Sequence, residues 1–170
     1  MGLSADELLA KCREAFGERI LDAHQHCEDA TVVIPRDAAL EIFQALRDRP
    51  EFGFNMLVDV TAVDYLGQKP RFEVVTHLHS LSNNHRLRVK IRVPEDEPWV
   101  HSLVPIWKGA NWVERECWDM FGIRFVGHPD LRRILMYEEF VGHPLRKDYP
   151  VEKRQPLTEE RDPIEVGWKV

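Results

Sequence analysis

The spacing of apolar residues near the start of the chain predicts a helix followed by a β-hairpin. The segment Ser4–Glu7 has the form of a capping box, and apolar residues recur behind it at helical spacing. A first helix is therefore expected over Ala5–Phe16. The segments Ile20–Cys27 and Thr31–Ile34 then read as two strands of a hairpin, the second more firmly because it is rich in β-branched residues.

A second helix and three further strands are predicted up to residue 93. The helix is expected between Pro35 and Arg49, with an apolar stripe that covers one face of a sheet. This stripe consists of Ala39, Ile42, Phe43 and Leu46. The segment Asn55–Val63 is almost entirely apolar, as in a strand buried on both faces, so it is predicted to be central in the sheet. The segments Arg71–His79 and Arg86–Val93 alternate between apolar and polar residues, which predicts an antiparallel hairpin.

The order helix, two strands, helix and three strands predicts the fold class. It is typical of a two-layer α+β domain in which a mixed β-sheet is covered by helices on one face. The opposite sheet face is expected to carry charge, because basic residues alternate with aliphatic residues along the last strand. These basic residues are Arg86, Arg88, Lys90 and Arg92.

The pattern changes beyond Pro94. A short helix is predicted around Trp99–Val104 and another over about Trp112–Phe121. Proline is frequent after Gly122, which favours extended or loop structure over further core elements. The predicted units are therefore an α+β domain (1–95), a helical signature region packed on it (96–140) and an extended C-terminal arm (141–170).

Composition restricts the functions that fit this fold. The formal net charge of -6 at pH 7 argues against a general nucleic-acid binder that works through phosphate contacts. The three cysteines stand far apart without a CxxC pair, so they indicate neither a disulfide framework nor an iron–sulfur ligand set. No apolar run approaches the ~20 residues that span a bilayer, and the N-terminus lacks the features of a signal or transit peptide. A soluble chain made in a bacterial-type cytoplasm is expected.

Carboxylates on the helix predicted near residue 112 point to a local ion network. Glu114 stands three residues after Asn111, where it fits an N-terminal cap. On a helical wheel Glu116 falls inside the apolar arc, and a carboxylate in such an arc needs a cationic partner. The residues of this arc are Trp112, Val113, Cys117, Met120 and Phe121. Arg124, Arg132 and Arg133 lie within reach along the sequence as partners.

The polar side of the same helix carries a second predicted pair. Arg115 and Asp119 are four residues apart, the spacing at which opposite charges meet on a helix surface. A simpler interpretation of the Arg-Arg dipeptide after the helix is that it decorates a solvated turn. Both interpretations stay open at this point.

An internal repeat follows the helix. The sequence Phe-Val-Gly-His-Pro occurs at 125–129 and again at 140–144, and a basic pair follows each copy within four residues. Proline restricts the histidine before it to extended conformations, so each turn is expected to present its basic pair in a fixed direction. Such turns suit docking on a partner's carboxylates, and they suit plain loop closure equally well.

Three linked blocks closely resemble the signature of the C subunit of NADH:quinone oxidoreductase, respiratory complex I. They are ERECWDMFGIRF at 114–125, HPDLRRIL at 128–135 and GHPLRKDYP at 142–150. The resemblance implies a small α+β subunit of the peripheral arm, which passes electrons from NADH through FMN and iron–sulfur clusters to a quinone. It further implies that other subunits hold those cofactors, and that this chain carries no catalytic residue, cofactor or metal.

The same resemblance implies partners and a location. The chain is expected to pack on the D subunit near the quinone-reducing module, with its C-terminal arm over that neighbour. Its place would be peripheral, on the cytoplasmic side of the bacterial inner membrane. The residues predicted to form the subunit interface or its supporting network are Glu114, Arg115, Glu116, Asp119, Arg132, Arg133, His143, Arg146, Lys147 and Asp148.

Other functions remain as alternatives. The equivalent subunit of a membrane-bound hydrogenase, or of a related complex-I-like oxidoreductase, would share this ancestry. The basic sheet face could instead bind RNA, although it offers no paired aromatic residues, and strand pairing is expected to place Glu73 beside Arg92 as a solvated charge pair. The His-x-His sequences at 24–26 and 77–79 each put two histidines on one strand face, but no third metal ligand is evident.

Overall fold

The computed structural model describes residues 2–153 and Gln155. These residues form three α-helices, seven β-strands and two short 3₁₀ turns. The helices are α1 (Ala5–Phe16), α2 (Ala39–Asp48) and α3 (Ala110–Phe121). The strands are β1 (Asp22–His26), β2 (Asp29–Ile34), β3 (Met56–Asp64), β4 (Phe72–Ser80), β5 (His85–Val93), β6 (Trp99–His101) and β7 (Arg124–Val126).

Local sequence signals account for α1 and α2. The Ser4 hydroxyl accepts a hydrogen bond from the Glu7 backbone N–H, and the Glu7 carboxylate accepts one from the Ser4 backbone N–H, so the predicted capping box is present. Helix α2 ends at Asp48, just before a proline that cannot continue it. Both helices bury their apolar stripes, which consist of Leu8, Leu9, Cys12 and Phe16 on α1 and Ala39, Ile42, Phe43 and Leu46 on α2.

The main sheet has five strands in the order β1-β2-β5-β4-β3. Strands β2 and β5 are parallel, and the other neighbouring pairs are antiparallel. The predicted α+β class, the mixed sheet and both hairpins are therefore confirmed. One hydrophobic core joins residues of α1, α2 and α3 to a single face of this sheet.

The prediction of a central strand at Asn55–Val63 was wrong. Strand β3 lies at the edge of the sheet, and β5 lies at its centre. Helix α3 packs against β3, and Val60 and Ala62 belong to the core, whereas Met56 and Val58 are 42% and 51% exposed. An apolar run therefore cannot distinguish a strand buried on both faces from an edge strand that a helix covers.

The sheet face away from the helices, called the outer face below, carries the predicted basic residues. The register places Arg92 opposite Glu73 as expected, but Glu73 forms its ion pair with Lys90, at 2.8 Å. Because cross-strand partners share a face, the register also places both His-x-His pairs on the outer face, with β2 and β5 between them. The two pairs are therefore too far apart to share a metal ion.

Residues 99–101 form strand β6, so the predicted short helix at Trp99–Val104 was wrong. Strand β6 pairs in parallel with β7, and Val100 is buried opposite Phe125. The partner strand lies beyond α3 in the sequence. Its pairing is a long-range contact that overrides the local pattern.

The chain after β7 has no helix or strand within the described residues. The segment 131–149 nevertheless packs on α3 and on the end of the sheet. Most of the predicted C-terminal arm, namely Arg154 and residues 156–170, lies outside the described residues, so the division of the chain at residues 95 and 140 stays a prediction. In the described part of the chain no helix is long and apolar enough to cross a membrane.

Candidate functional site

The first buried charge of α3 is Glu114, which does not act as an N-terminal cap. The helix begins after Gly109 without a side-chain cap, and Glu114 is fully buried in its second turn. Its carboxylate accepts hydrogen bonds from the Ser102 hydroxyl at 2.7 Å and from the Leu103 backbone N–H at 2.5 Å. Burial raises the pKa of Glu114 to about 7, because these two hydrogen bonds only partly compensate for the loss of water.

The prediction that Glu116 is the inward-facing carboxylate was wrong. Glu116 is exposed, and Trp112, four residues before it on the same side of the helix, is 68% exposed. The helical wheel counted Trp112 as buried, and this extended the predicted buried face of α3 to the side of the helix that carries Glu116. In the structure the buried face of α3 instead includes Glu114, Cys117 and Phe121.

Asp119 is the second fully buried carboxylate of α3. Its Oδ1 accepts a hydrogen bond from Arg133 at 2.5 Å, and its Oδ2 accepts from the backbone N–H groups of three successive residues at 2.9–3.1 Å. These are Ile134, Leu135 and Met136. Burial acts to raise the pKa of Asp119, but the three N–H groups and Arg133 outweigh burial and lower it. Asp119 thus fixes the chain at 134–136 against the helix.

The predicted pairing of Arg115 with Asp119 was wrong. The Arg115 guanidinium donates to the backbone carbonyls of Arg132 and Arg133, at 3.1 and 3.0 Å. Arg133 is the true partner of Asp119, and it also donates to the carbonyls of Phe140 and Gly142. The two adjacent arginines therefore differ, since Arg132 is exposed and pairs with Asp130 at the surface.

The second Gly-His-Pro turn closes the C-terminal end of α3. The ring nitrogen Nδ1 of His143 donates to the Asp119 carbonyl at 3.0 Å, and Arg146 Nε donates to the Phe121 carbonyl at 2.6 Å. These donors satisfy carbonyls that a helix end leaves without partners. Gly122 ends the helix with φ 76°, and a Cβ atom there would lie 2.5 Å from the His143 ring, so no larger residue fits.

A second ionic cluster joins the segment 131–149 to the sheet. Arg71, only 2% exposed, donates two hydrogen bonds to the buried Asp64 at 2.8–2.9 Å. It also pairs with Asp148 at 2.8 Å and with Glu95 at 2.6 Å, and the Lys147 backbone N–H donates to Asp64. The hydrogen bonds from Arg71 lower the pKa of Asp64 and of Asp148.

Sequence reasoning missed Asp64 and Arg71. Their signal was a carboxylate at the end of an apolar strand and an arginine at the start of the next, both in positions that hydrophobic neighbours tend to bury. Of the predicted residues, the structure brings together Asp119, Arg133 and His143, and it joins Asp148 to this newly found pair. Glu114 and Glu116 stand apart from both clusters.

The segment 131–149 exposes three aliphatic side chains among charged ones. Leu135, Val141 and Leu145 are 56%, 63% and 54% exposed, although the backbone around them is held by buried charges. The N–H of Leu145 itself donates to the Met120 carbonyl. We call these three exposed side chains, Leu135, Val141 and Leu145, the apolar ridge.

The described residues offer no metal centre. Among residues 2–153 and Gln155, no group of three or more histidine, cysteine or acidic residues is placed to hold a metal ion. The buried charges of the two clusters are instead saturated by hydrogen bonds to one another and to the backbone. This arrangement holds the segment 131–149 against α3 and the end of the sheet.

Proteins of known family resemble this chain along most of its length. Residues 32–155 match the family described as respiratory-chain NADH dehydrogenase, 30 kDa subunit. The C subunit of NADH-quinone oxidoreductase from Citrifermentans bemidjiense is 48% identical over 144 residues, which cover 85% of this chain and 88% of that protein.

Two solved structures share the fold. The trypsin-resistant fragment (1–134) of Nqo5 matches with a TM-score of 0.65 and 32% identity, over 74% of this chain and 98% of the fragment. A chain of the membrane-bound sulfane sulfur reductase, an archaeal respiratory membrane complex, matches with a TM-score of 0.70 over 92% of this chain and 98% of its own length. At 21% identity, this second likeness shows the fold alone.

Proposed function

Because the chain belongs to the family of the 30 kDa subunit, or C subunit, of NADH-quinone oxidoreductase, we propose that it is a non-catalytic structural subunit of that complex. In this proposal it docks on the D subunit in the peripheral arm, near the quinone-reducing module. FMN, the iron–sulfur clusters and the NADH and quinone sites belong to other subunits. The chain reaches the cytoplasmic face of the inner membrane only through its partners.

The apolar ridge supports the docking role most directly. The segment 131–149 has no regular secondary structure, yet Asp119, Asp64 and Arg133 form hydrogen bonds with its backbone from the inside. A segment that is already ordered loses little conformational entropy when it binds, so its apolar side chains contribute more fully to affinity. Exposed leucine and valine on a fixed backbone therefore offer a partner a preformed apolar contact.

The interior of the site supports a structural role. Asp119 is held in its charged form by four donors, and Arg71 is shared among three carboxylates. Charged groups that are already held in buried ion pairs are poor proton donors or acceptors for a reaction, because each proton transfer would break such a pair.

A leucine substitution on the apolar ridge tests the docking role. Leu145→Glu places a charge on an exposed position, so the isolated chain is expected to fold normally, while its co-purification with the D subunit is expected to fall at least tenfold. Leu21→Glu is the matched control, because Leu21 is 59% exposed and Leu145 is 54% exposed. Equal recovery of the D subunit with Leu145→Glu and with the control would contradict docking through the ridge.

The absence of cofactors needs a separate measurement. The isolated chain is expected to show no flavin absorbance and no stoichiometric iron. Either signal in the purified chain would overturn the assignment of the redox centres to other subunits.

A further inference from the structure

The segment 131–149 is held in two different ways along its length. Leu131 and Met136 pack against the hydrophobic core, and the backbone of this part is bound to Asp119. None of the described residues after Met136 belongs to the core or packs against it. Residues 140–149 nevertheless lie against the end of α3 and the end of the sheet, and we call them the flap. Their attachment to the rest of the protein therefore depends on other contacts.

Polar and charged contacts attach the flap. The Asp148 carboxylate, 48% exposed, pairs with the Arg71 guanidinium at 2.8 Å, and the Arg146 guanidinium lies 5.1 Å from the centroid of the buried Phe72 ring. Four donors of the flap also bind the last turn of α3 and Asp64. They are His143 Nδ1, the Leu145 N–H, Arg146 Nε and the Lys147 N–H. Water can replace each of these hydrogen bonds, so opening the flap costs less than exposing core side chains such as Leu131 would.

The flap is also closed on itself. The rings of Phe140 and Tyr149, at its two ends, stack with their centroids 5.8 Å apart, and the Tyr149 N–H donates to the Arg146 carbonyl at 3.0 Å. The Gln155 amide group joins the same two ends, since it donates to the Val141 carbonyl at 3.0 Å and to the Tyr149 hydroxyl at 2.6 Å. A loop whose ends are joined in this way keeps its own contacts when it leaves its support.

Arg133 marks the point about which the flap can move. Its guanidinium is bound to the buried Asp119, and it donates to the carbonyls of Phe140 and Gly142 at 2.9 and 3.2 Å. These two hydrogen bonds lie at the start of the flap, whereas the contacts of Lys147 and Asp148 lie near its other end. Loss of the far contacts alone therefore lets the flap swing away while its start stays attached.

We propose that the flap opens and closes as one unit about Arg133, and that a partner docked on the apolar ridge holds it closed. Leu135 lies on the fixed part of the segment, whereas Val141 and Leu145 lie on the flap, so opening separates the side chains of the ridge. A partner that contacts all three binds only the closed form and thereby favours it. The opening itself does not depend on the proposed function, whereas its suppression by a partner rests on it.

Amide hydrogen exchange of the isolated chain, followed by NMR, tests the opening. The N–H groups of Leu145 and Lys147 report the contacts of the flap with α3 and Asp64, and those of Leu135 and Met136 report the fixed part. After correction for intrinsic rates, the first two are expected to exchange about tenfold faster than the last two, and at rates similar to each other. Equal protection of all four amides would overturn a flap that opens separately.

A single substitution tests whether the flap moves as one unit. Asp148→Asn removes the charge that pairs with Arg71, so exchange at Leu145 and Lys147 is expected to rise about fivefold, while Tyr149, whose N–H is bonded within the flap, keeps its protection. Glu139→Gln is the matched control, because Glu139 is exposed and is not among the carboxylates that Arg71 contacts. An equal effect of the control, or faster exchange at Tyr149 as well, would refute motion as a unit.

The assembled complex tests the effect of the partner. Hydrogen exchange measured by mass spectrometry is expected to be about tenfold slower across the flap in the complex than in the isolated chain. A complex whose flap exchanges as fast as that of the isolated chain would refute closure by docking. A failure of the proposed function would appear differently, because no complex with the D subunit would be recovered, and closure by that partner would be refuted with it.

Discussion

Glu114 gives the sharpest prediction of the structure, because it is a buried carboxyl group with no cation beside it among the described residues. In the unfolded chain its pKa is near the ordinary value of 4.5, and in the folded chain it is about 7. A raised pKa means that the folded state binds the proton more tightly, so the protonated group stabilises the fold at low pH. This stabilisation is complete below pH 4.5 and is lost as the pH rises through about 7.

The magnitude follows from the size of the shift. Each pKa unit corresponds to about 1.4 kcal/mol, so a rise from 4.5 to about 7 amounts to roughly 3 kcal/mol between fully protonated and fully ionised Glu114. Most of this difference, about 2 kcal/mol or slightly more, lies between pH 5 and pH 8. A glutamine at this position would resemble the protonated acid, because its amide oxygen accepts from Leu103 and its amide group donates to Ser102.

Urea denaturation of Glu114→Gln and of the wild type at pH 5 and pH 8 tests this reasoning. The variant is expected to match the wild type at pH 5 and to be more stable by about 2 kcal/mol at pH 8. Histidines whose pKa is lowered by burial, such as His85 and His143, act in the opposite direction, but they are shared by both proteins and cancel in the comparison. Glu116→Gln is the control, since Glu116 is exposed two residues further along α3. If the difference in free energy of unfolding between the wild type and Glu114→Gln were the same at pH 5 and pH 8, the raised pKa of Glu114 would be refuted.

Two further predictions concern the segment 131–149. Asp119→Asn is expected to lower the free energy of unfolding at pH 7 by about 3 kcal/mol, because it leaves the mostly buried Arg133 without its anion, whereas Asp130→Asn at the surface should change it little. Since the pKa of Asp119 is lowered, the wild type should keep this advantage down to the ordinary value of 3.8 and lose it progressively as the pH falls further toward the folded pKa, so a stability difference that already disappears above pH 3.8 in urea titrations would expose a wrong assignment. A chain that ends at Val141 loses Asp148 from the Arg71 cluster and is expected to be about 2 kcal/mol less stable than a chain that ends at Gln155, as judged by thermal unfolding. Identical melting curves would mean that the contact between Arg71 and Asp148 does not contribute to the stability of the fold.

Short-range signals made much of the fold predictable from the sequence. The capping box at Ser4 and the proline after α2 act within a few residues of the element that they bound, so both helices were placed correctly. The β4–β5 hairpin was likewise predicted, because its alternation and its turn are local. The strand order could not be predicted in the same way, since the parallel pairing of β2 with β5 joins segments separated by a helix and two strands.

The candidate site was harder to predict because its charges are long-range partners. Asp119 reaches three N–H groups beyond β7, and Arg71 reaches Asp148 near the end of the described chain. The error at α3 had a specific cause, because Trp112 was counted as part of the buried apolar arc. Large aromatic residues also occur at exposed interface positions, so their hydrophobicity alone does not fix the phase of a helix.

The two buried carboxyl groups of α3, Glu114 and Asp119, have pKa values shifted in opposite directions, and each holds a different segment against the helix. Glu114 receives no cation from the described part of the chain and has a raised pKa, so it tolerates burial best as a neutral acid that ties α3 to the chain at 102–103. Asp119 has four donors and a lowered pKa, so it remains charged and fixes a segment that could not fold on its own backbone hydrogen bonds. Between pH 5 and pH 8 the interior contact at Glu114 is therefore sensitive to pH, while the Asp119 carboxylate beneath the apolar ridge stays ionised. His143, whose pKa is lowered from 6.5, is neutral above pH 7. If the chain docks on the D subunit through the ridge as proposed, binding should stay constant between pH 7 and pH 8, and a marked pH dependence of co-purification in this range would place the contact elsewhere on the chain.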